Sequence, residues 1–267
     1  MAKQPLATLL TDFGTRDPYV AAMKGVILGM CHSARIVDLC HHVPPQDVLA
    51  AAFILAQAAP YYPTGTLHVV VVDPTVGTDR RILAARFGGQ NFLFPDNGVI
   101  TFISRRMPLE ALAVVSNTKY LPAATASMTF HGRDVFAPVA GHILNGLQLT
   151  RLGPQPKSYE MLDLPEPQEQ EAEIVGQVIY VDRFGNLVSN IPASMIERTF
   201  ENLASPSVLC AGRDVGGLQG SYAFVPKGRP LALFNSMGLL EVAVNRGRAD
   251  ETLNAGIGAE IRMVKRK

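Results

Sequence analysis

The sequence predicts two folded parts: an α/β N-terminal domain built on a largely parallel central sheet, and an all-β, barrel-like C-terminal domain. Three features lead there. The first half alternates strand-like apolar runs with helix-patterned segments, the mark of an α/β layer. Residues 153–171 (GPQPKSYEMLDLPEPQEQE) then place Pro154, Pro156, Pro165 and Pro167 among acidic and polar side chains, and read as a linker. Past that stretch the helical period disappears, and short strand segments follow one another with Gly or Pro between them. The boundaries follow as an α/β domain over 1–152, a linker over 153–172 and a barrel-like domain over 173–267.

Taken in order, residues 7–11 (ATLLT) read as a buried strand. DPYVAAMKGVILGM carries Val20, Met23, Val26, Ile27 and Met30 at helical spacing, with Asp17-Pro18 as its opening. ARIVDL is a second strand and PQDVLAAAFILAQAA a second helix. LHVVVVD is a continuous β-branched run, which fits a central strand covered on both faces. RRILAARF and QNFLFPDNG form a pair of shorter strands, and HGRDVFAPVAGHILNG a closing helix. In the second half EIVGQVIYVD, NLVSNI, PSVLCAG, GSYAF, RPLALFNS, LLEVAVN and AEIRMVKR all read as short strands.

Composition narrows the partners. Hydrophobic residues make up 48% and charged ones 18%, enough for a sizeable core. Lys and Arg number 24 against 23 Asp and Glu, so nothing points to nucleic acid or to an anionic membrane surface. Apolar stretches such as 49–60 fall short of the ~20 residues a membrane span needs. MAKQPLATLLTDFG has no secretory pattern. The three cysteines, Cys31, Cys40 and Cys210, have no CxxC spacing and cannot all pair, so free thiols in a reducing cytoplasm are expected.

Chemistry-bearing residues stand at the ends of the apolar runs: Asp12 in TLLTDFGTRD, Asp73 and Arg80 in VVVVDPTVGTDR, His131 in TFHGRDVF. Ligands of α/β proteins sit at the carboxyl ends of strands. A carboxylate, a guanidinium and an imidazole meeting there can position and deprotonate a water molecule. Each also has an ordinary reading: Asp73 before Pro74 as a turn residue, Arg80 as a surface arginine, His131 as a helix cap or packed core histidine. Asp12, directly behind its strand, suits a pair of ribose hydroxyls. Asp17 suits either an ammonium group or a helix cap. VDRFGN, residues 182–186 with the preceding valine, fits a simple hairpin turn. Cys31-His32 and Cys40-His41-His42 match no standard zinc spacing, so no metal site is expected. No GxGxxG opens the first helix and no GxxxxGK[ST] occurs, which leaves phosphate-cradling chemistry without support.

TDFGTRDPYVAAMKGVI, IVDLCHHVPPQDVLAAAFIL, VVVVDPTVGTDRR, PDNG, TFHGRDVFAPVA, VDRFGNLVSNI and NSMGLLEVAVN, in that order over nearly the whole chain, resemble the S-adenosylmethionine hydroxide adenosyltransferases, relatives of fluorinase and chlorinase. The resemblance implies a homotrimer that binds S-adenosyl-L-methionine as substrate between neighbouring subunits, without a cofactor. By motif it implies Asp73, Arg80 and His131 as the water-activating triad and Asp12 as the ribose ligand. It places Asp17, Asp182 and Ser236 at the methionine end, Asn186 at adenine, and Glu241 and Val244 along the adenosine pocket. Tyr222 aligns with an aromatic that packs on the nucleoside. NSMG carries Met237 where the family pattern has a small residue, a departure at the methionine end.

Two features set the expectation of water against that of halide. The halogenases carry a non-acidic residue where Asp73 stands and lack the His131-Gly132 pair, and fluorinase has an insertion before the motif that matches PDNG here. An anionic Asp73 repels a halide at the place of attack. The expected reaction is substitution at the 5′ carbon, giving adenosine and L-methionine. The alternatives are a halide-dependent adenosyltransferase, a non-catalytic adenosine or S-adenosylmethionine binder, and a metal-dependent hydrolase using Asp12, Asp73 and His131.

Overall fold

A computed structural model describes residues 4–121, 129–170, 173–200 and 206–265. The described chain divides into two compact units, 1–162 and 163–267.

The first unit carries β1 (Leu6–Thr11), α1 (Tyr19–Met30), β2 (Arg35–Cys40), α2 (Val48–Ala58), β3 (Leu67–Val71), β4 (Ile82–Phe87), β5 (Gln90–Pro95), α3 (Thr101–Ser104), β6 (Leu109–Val114) and α4 (Ala137–Leu144). Its six strands lie in the order β2-β1-β3-β5-β4-β6. The expectation of a largely parallel sheet needs correction: the sheet is mixed. β1–β2, β1–β3 and β3–β5 are parallel, whereas β4–β5 and β4–β6 are antiparallel. The cause is local. Gly88 and Gly89, with φ of +53° and +76°, form a two-residue turn that folds β4 back on β5. Such a turn needs positive φ at both central positions, which glycine adopts without steric cost. β4 alone is reversed, and the other five strands share one direction.

Burial follows the expected pattern. β3 is buried along its whole length, and Met23 and Ile27 of α1 pack with Val139, Ala140 and Ile143 of α4 and with Leu9, Val69 and Val71. α2 buries six of its eleven residues and begins with Asp47, whose Oδ1 accepts the Ala50 N–H at 2.8 Å. Ordering a helix end this way satisfies one of its orphan amides.

The proline-rich stretch is not a free tether. The Val114 amide bonds to the Pro154 carbonyl, and the Glu160 and Leu162 amides bond to Asp96 Oδ1 and Thr101 Oγ1 at 2.7 and 2.8 Å. Farther on, β7 (Gln168–Gln170) is an edge strand of the second unit. Residues 171 and 172 of the expected linker lie outside the described ones.

The second unit continues with β8 (Glu173–Val181), β9 (Leu187–Pro192), α5 (Ala193–Thr199), β10 (Pro206–Cys210), β11 (Arg213–Gly216), β12 (Pro230–Phe234), β13 (Leu239–Val244), α6 (Ala249–Leu253) and β14 (Glu260–Lys265). The strand order is β11-β10-β14-β8-β9-β13-β12, with β7 beside β8, and every one of these ladders is antiparallel. A parallel bridge from Leu218, just past β11, to Ala232 in β12 links the two ends of this order, so the sheet nearly closes into a barrel. Its filling includes Ile174, Val178, Leu187, Val208, Val242 and Met263. GSYAF, expected as a strand, is instead a 3₁₀ turn over Tyr222–Phe224 started by the Ser221 side chain. The two short helices α5 and α6 also escape the strand pattern. Among the described residues no helix is long and apolar enough to cross a membrane.

Candidate active site

β1 and β3 are neighbours in register, Thr11 against Val71, so Asp12 and Asp73 leave adjacent strands at the same carboxyl edge. Asp73 is met there by Arg80 from the following loop. Arg80 Nε donates to Asp73 Oδ2 at 2.6 Å, and Arg80 Nη2 contacts the same oxygen. Both side chains are nearly buried, at 5% exposure for Asp73 and 8% for Arg80. The same Nη2 lies 2.7 Å from His131 Nδ1. A guanidinium has no lone pair to offer, so Nδ1 must accept and the imidazole proton resides on Nε2. Burial, then the positive charge of Arg80, holds the His131 pKa below 6.5, while Asp73 and Asp134 oppose that shift. His131 is therefore neutral at pH 7. Among the described residues, the other Asp73 oxygen, Oδ1, receives only the long 3.3 Å contact of Thr75 Oγ1.

His131 immediately precedes a π-helical turn over Gly132–Phe136 that leads into α4. Such widened turns recur at functional sites. Asp12, Asp73 and His131 line one cavity of about 330 Å³, together with Phe13, Tyr19, Gln46 and Phe130. Asp12 Oδ2 accepts the Gln46 N–H at 2.8 Å. Phe13, Tyr19 and Phe130 form an aromatic wall with ring centroids 5.1–5.9 Å apart. Asp17 is exposed and does not line this cavity; α1 has no side-chain cap, so the capping reading of Asp17 has no counterpart.

In the second unit Asp182 organises a tight turn. Its Oδ1 accepts the N–H groups of Phe184 and Asn186 at 2.8 and 2.9 Å, and its Oδ2 accepts Asn186 Nδ2 at 2.9 Å. Gly185 sits at φ +81°, where an added Cβ would stand 2.4 Å from Asp250 Oδ1. Asp182, Asn186, Tyr222 and Val244 line a second cavity of about 660 Å³ with Phe184, Arg183, Arg246 and Arg248. Phe184 is 73% exposed, an unusual place for a large apolar ring. Glu241, 4% exposed, accepts the Tyr222 hydroxyl on Oε1 at 2.8 Å. Burial, with Asp182 adding to it, raises the Glu241 pKa, and the Tyr222 bond opposes the rise. Burial and Glu241 together push the Tyr222 phenol up as well. Ser236 is exposed in the β12–β13 turn and does not line this cavity. Its neighbour Asn235 ties that turn, accepting the Met237 and Leu239 amides at 2.9 and 3.1 Å.

Two family models cover most of the chain: the SAM hydroxide adenosyltransferase N-terminal domain over residues 7–153 and its C-terminal domain over 176–262. The chain belongs to the SAM hydroxide adenosyltransferase family. Its relatives include proteins named (R)-S-adenosyl-L-methionine hydrolase. That of Thermus thermophilus is 38% identical, covering 96% of this chain and 98% of its own. That of Salinispora arenicola is 36% identical, covering 98% and 99%. Fluorinases match at lower identity, 24% for that of Actinopolyspora mzabensis. A crystal structure of an uncharacterized conserved protein from Thermotoga maritima superposes with a TM-score of 0.89 at 34% identity, covering 97% of this chain and all of that one.

In this SAM hydroxide adenosyltransferase, sequence reasoning overlooked Gln46 and the aromatic wall in the first unit, and Phe184, Arg246 and Arg248 in the second. A signal existed for the rings: Phe13 and Phe130 each abut a polar site residue in the motifs TDFG and TFHG. Gln46 had none, because it acts through its backbone amide at a φ of +66°. Among the described residues, no group of three or more His, Cys, Asp or Glu is arranged to hold a metal ion.

Proposed function

We propose that this chain hydrolyses S-adenosyl-L-methionine at the 5′ carbon, giving adenosine and L-methionine. The observation that carries the reading is that Asp12, Asp73 and His131 line one cavity, with Arg80 joining Asp73 to His131. The hydrolase names of the relatives support the substrate and the reaction.

Arg80 occupies Asp73 Oδ2 and His131 Nδ1. That leaves Asp73 Oδ1 as acceptor and His131 Nε2–H as donor. A water donating to the first and accepting from the second keeps one lone pair for the 5′ carbon. In the step itself the C5′–O bond forms as the C5′–S bond breaks, and the bonding pair leaves on sulfur as a neutral thioether. The water proton passes to Asp73 and then to solvent. His131 serves as an orienting donor rather than a base, since the nitrogen able to accept is already taken by Arg80. The sulfonium carries its own positive charge, so this route uses no metal or cofactor. Orientation and exclusion of bulk water supply the acceleration.

In the same reading Asp12 grips the ribose hydroxyls, and Asn186, Glu241 and Val244 receive the adenosine. Asp182, with Asp17 and Ser236, receives the methionine end. A ligand that reaches both residue sets is bound between neighbouring copies of a homotrimer. The unpaired Cys31, Cys40 and Cys210 support a reducing, cytoplasmic setting. The test is to incubate the pure protein with S-adenosylmethionine, with and without chloride, and identify the nucleoside. Adenosine in both is expected. 5′-Chloro-5′-deoxyadenosine as main product would overturn the assignment.

A further inference from the structure

We propose that His41 is the positioning residue for Asp12, setting the carboxylate that grips the ribose; the inference rests on the ribose role of Asp12 given above. His41 follows β2 and is 5% exposed. It holds the Asp12 loop from both sides. Its ring Nδ1 lies 2.9 Å from Thr11 Oγ1, and its carbonyl accepts the Gly14 N–H at 2.6 Å. Asp12 stands between those two anchored residues. Its own Oδ2 is held by the Gln46 amide, five residues further along the loop that His41 begins.

The ring is itself fixed. Asp38 Oδ1 stands 3.0 Å from His41 Nε2, off the line of a hydrogen bond but at ion-pair distance, and Asp38 Oδ2 takes Lys24 Nζ at 2.7 Å. A carboxylate beside Nε2 favours the proton there, which leaves Nδ1 as the acceptor. The Thr11 hydroxyl then donates to Nδ1 while its oxygen accepts the Phe13 N–H at 3.3 Å. A chain of contacts thus runs from Lys24 through Asp38, His41 and Thr11 to the backbone on either side of Asp12. The motif Cys40-His41-His42, which matches no zinc spacing, has its role here: the imidazole braces a loop. Second-layer groups of this kind fix the geometry of the residue that meets the ligand.

The experiment compares adenosine with 2′,3′-dideoxyadenosine by calorimetry. The second nucleoside lacks the hydroxyls that Asp12 would grip. His41→Leu should weaken adenosine by about tenfold, the scale of a misplaced hydrogen bond to a charged group, and leave dideoxyadenosine unchanged. His41→Asn, which restores a polar atom near Nδ1, should recover most of the loss. In Asp12→Ala protein, adding His41→Leu should cost adenosine nothing more. Thr11→Val supplies the same test through the other end of the contact if His41→Leu does not fold. Equal weakening of both nucleosides, or no weakening of adenosine in folded protein, would overturn the positioning role. If the unaltered protein binds both nucleosides equally, the ribose reading of Asp12 falls, and this inference with it.

Discussion

Replacing Arg80 by methionine tests the constellation at its hinge. Methionine keeps most of the length and removes the guanidinium. Arg80 makes both contacts to Asp73 Oδ2 and reaches His131 Nδ1, and the two partners of the ion pair are 8% and 5% exposed. Removing one member of a buried pair leaves an uncompensated charge, at a cost of about 3–5 kcal/mol. For a protein of this size each kcal/mol moves the melting temperature by about 2–4 °C, so Arg80→Met should melt roughly 6–20 °C lower. Adding Asp73→Asn removes the stranded charge, and the double variant should recover much of the loss while staying inactive. Calorimetry on the four proteins of the cycle measures this directly. If Arg80→Met melts within a degree or two of the unaltered protein, the pair is not the buried, coupled element described. A double variant no more stable than Arg80→Met would contradict it equally.

Three further outcomes are expected. The His131 pKa lies below 6.5 in the folded protein, so the unfolded chain binds more protons in the window below that value. Stability should therefore rise with pH through that window, and kcat/KM should fall on the acid side with an apparent pKa under 6.5; an acid limb above 6.5 would count against the neutral imidazole. Tyr222→Phe leaves Glu241 Oε1 without its donor, which should cost about 1–3 kcal/mol in melting experiments near neutral pH and raise the Glu241 pKa further; an unchanged melt would show that the contact contributes nothing. Mixing inactive Asp73→Asn protein with inactive Asp182→Ala protein under conditions of subunit exchange should restore part of the activity. No rescue despite verified exchange would sink the shared site.

β6, with its first residues exposed, and the four-residue α3 carry too little pattern to be read. The other strands and helices of the first unit were legible because burial writes itself into periodicity: the run LHVVVVD contains β3, Leu67–Val71, buried throughout, and the Val20, Met23, Ile27 stripe is the inner face of α1. The direction of β4 was not, since a strand reads the same in either sense and only the Gly88-Gly89 turn reverses it. Tyr222–Phe224 misled for a related reason. Its aromatic composition suits a strand, but Ser221 starts a 3₁₀ turn there and the Tyr222 hydroxyl reaches Glu241. Asp12, Asp73 and His131 could be picked out by their positions after apolar runs, yet nothing in their spacing says that one cavity holds all three. The two links that brace Asp12, the Gln46 amide and the His41 ring, are invisible to pattern reading. One acts through a backbone group, and the other sits in a histidine pair that suggests a metal before it suggests a brace.

The most direct test of a water molecule activated by Asp73, Arg80 and His131 is the origin of the product oxygen. Turnover of S-adenosylmethionine in oxygen-18 water should place one labelled atom in the 5′-hydroxyl of adenosine and none in methionine, read by mass spectrometry of both products. Adenosine formed without label, or label found only in the methionine fragment, would contradict attack of water at the 5′ carbon.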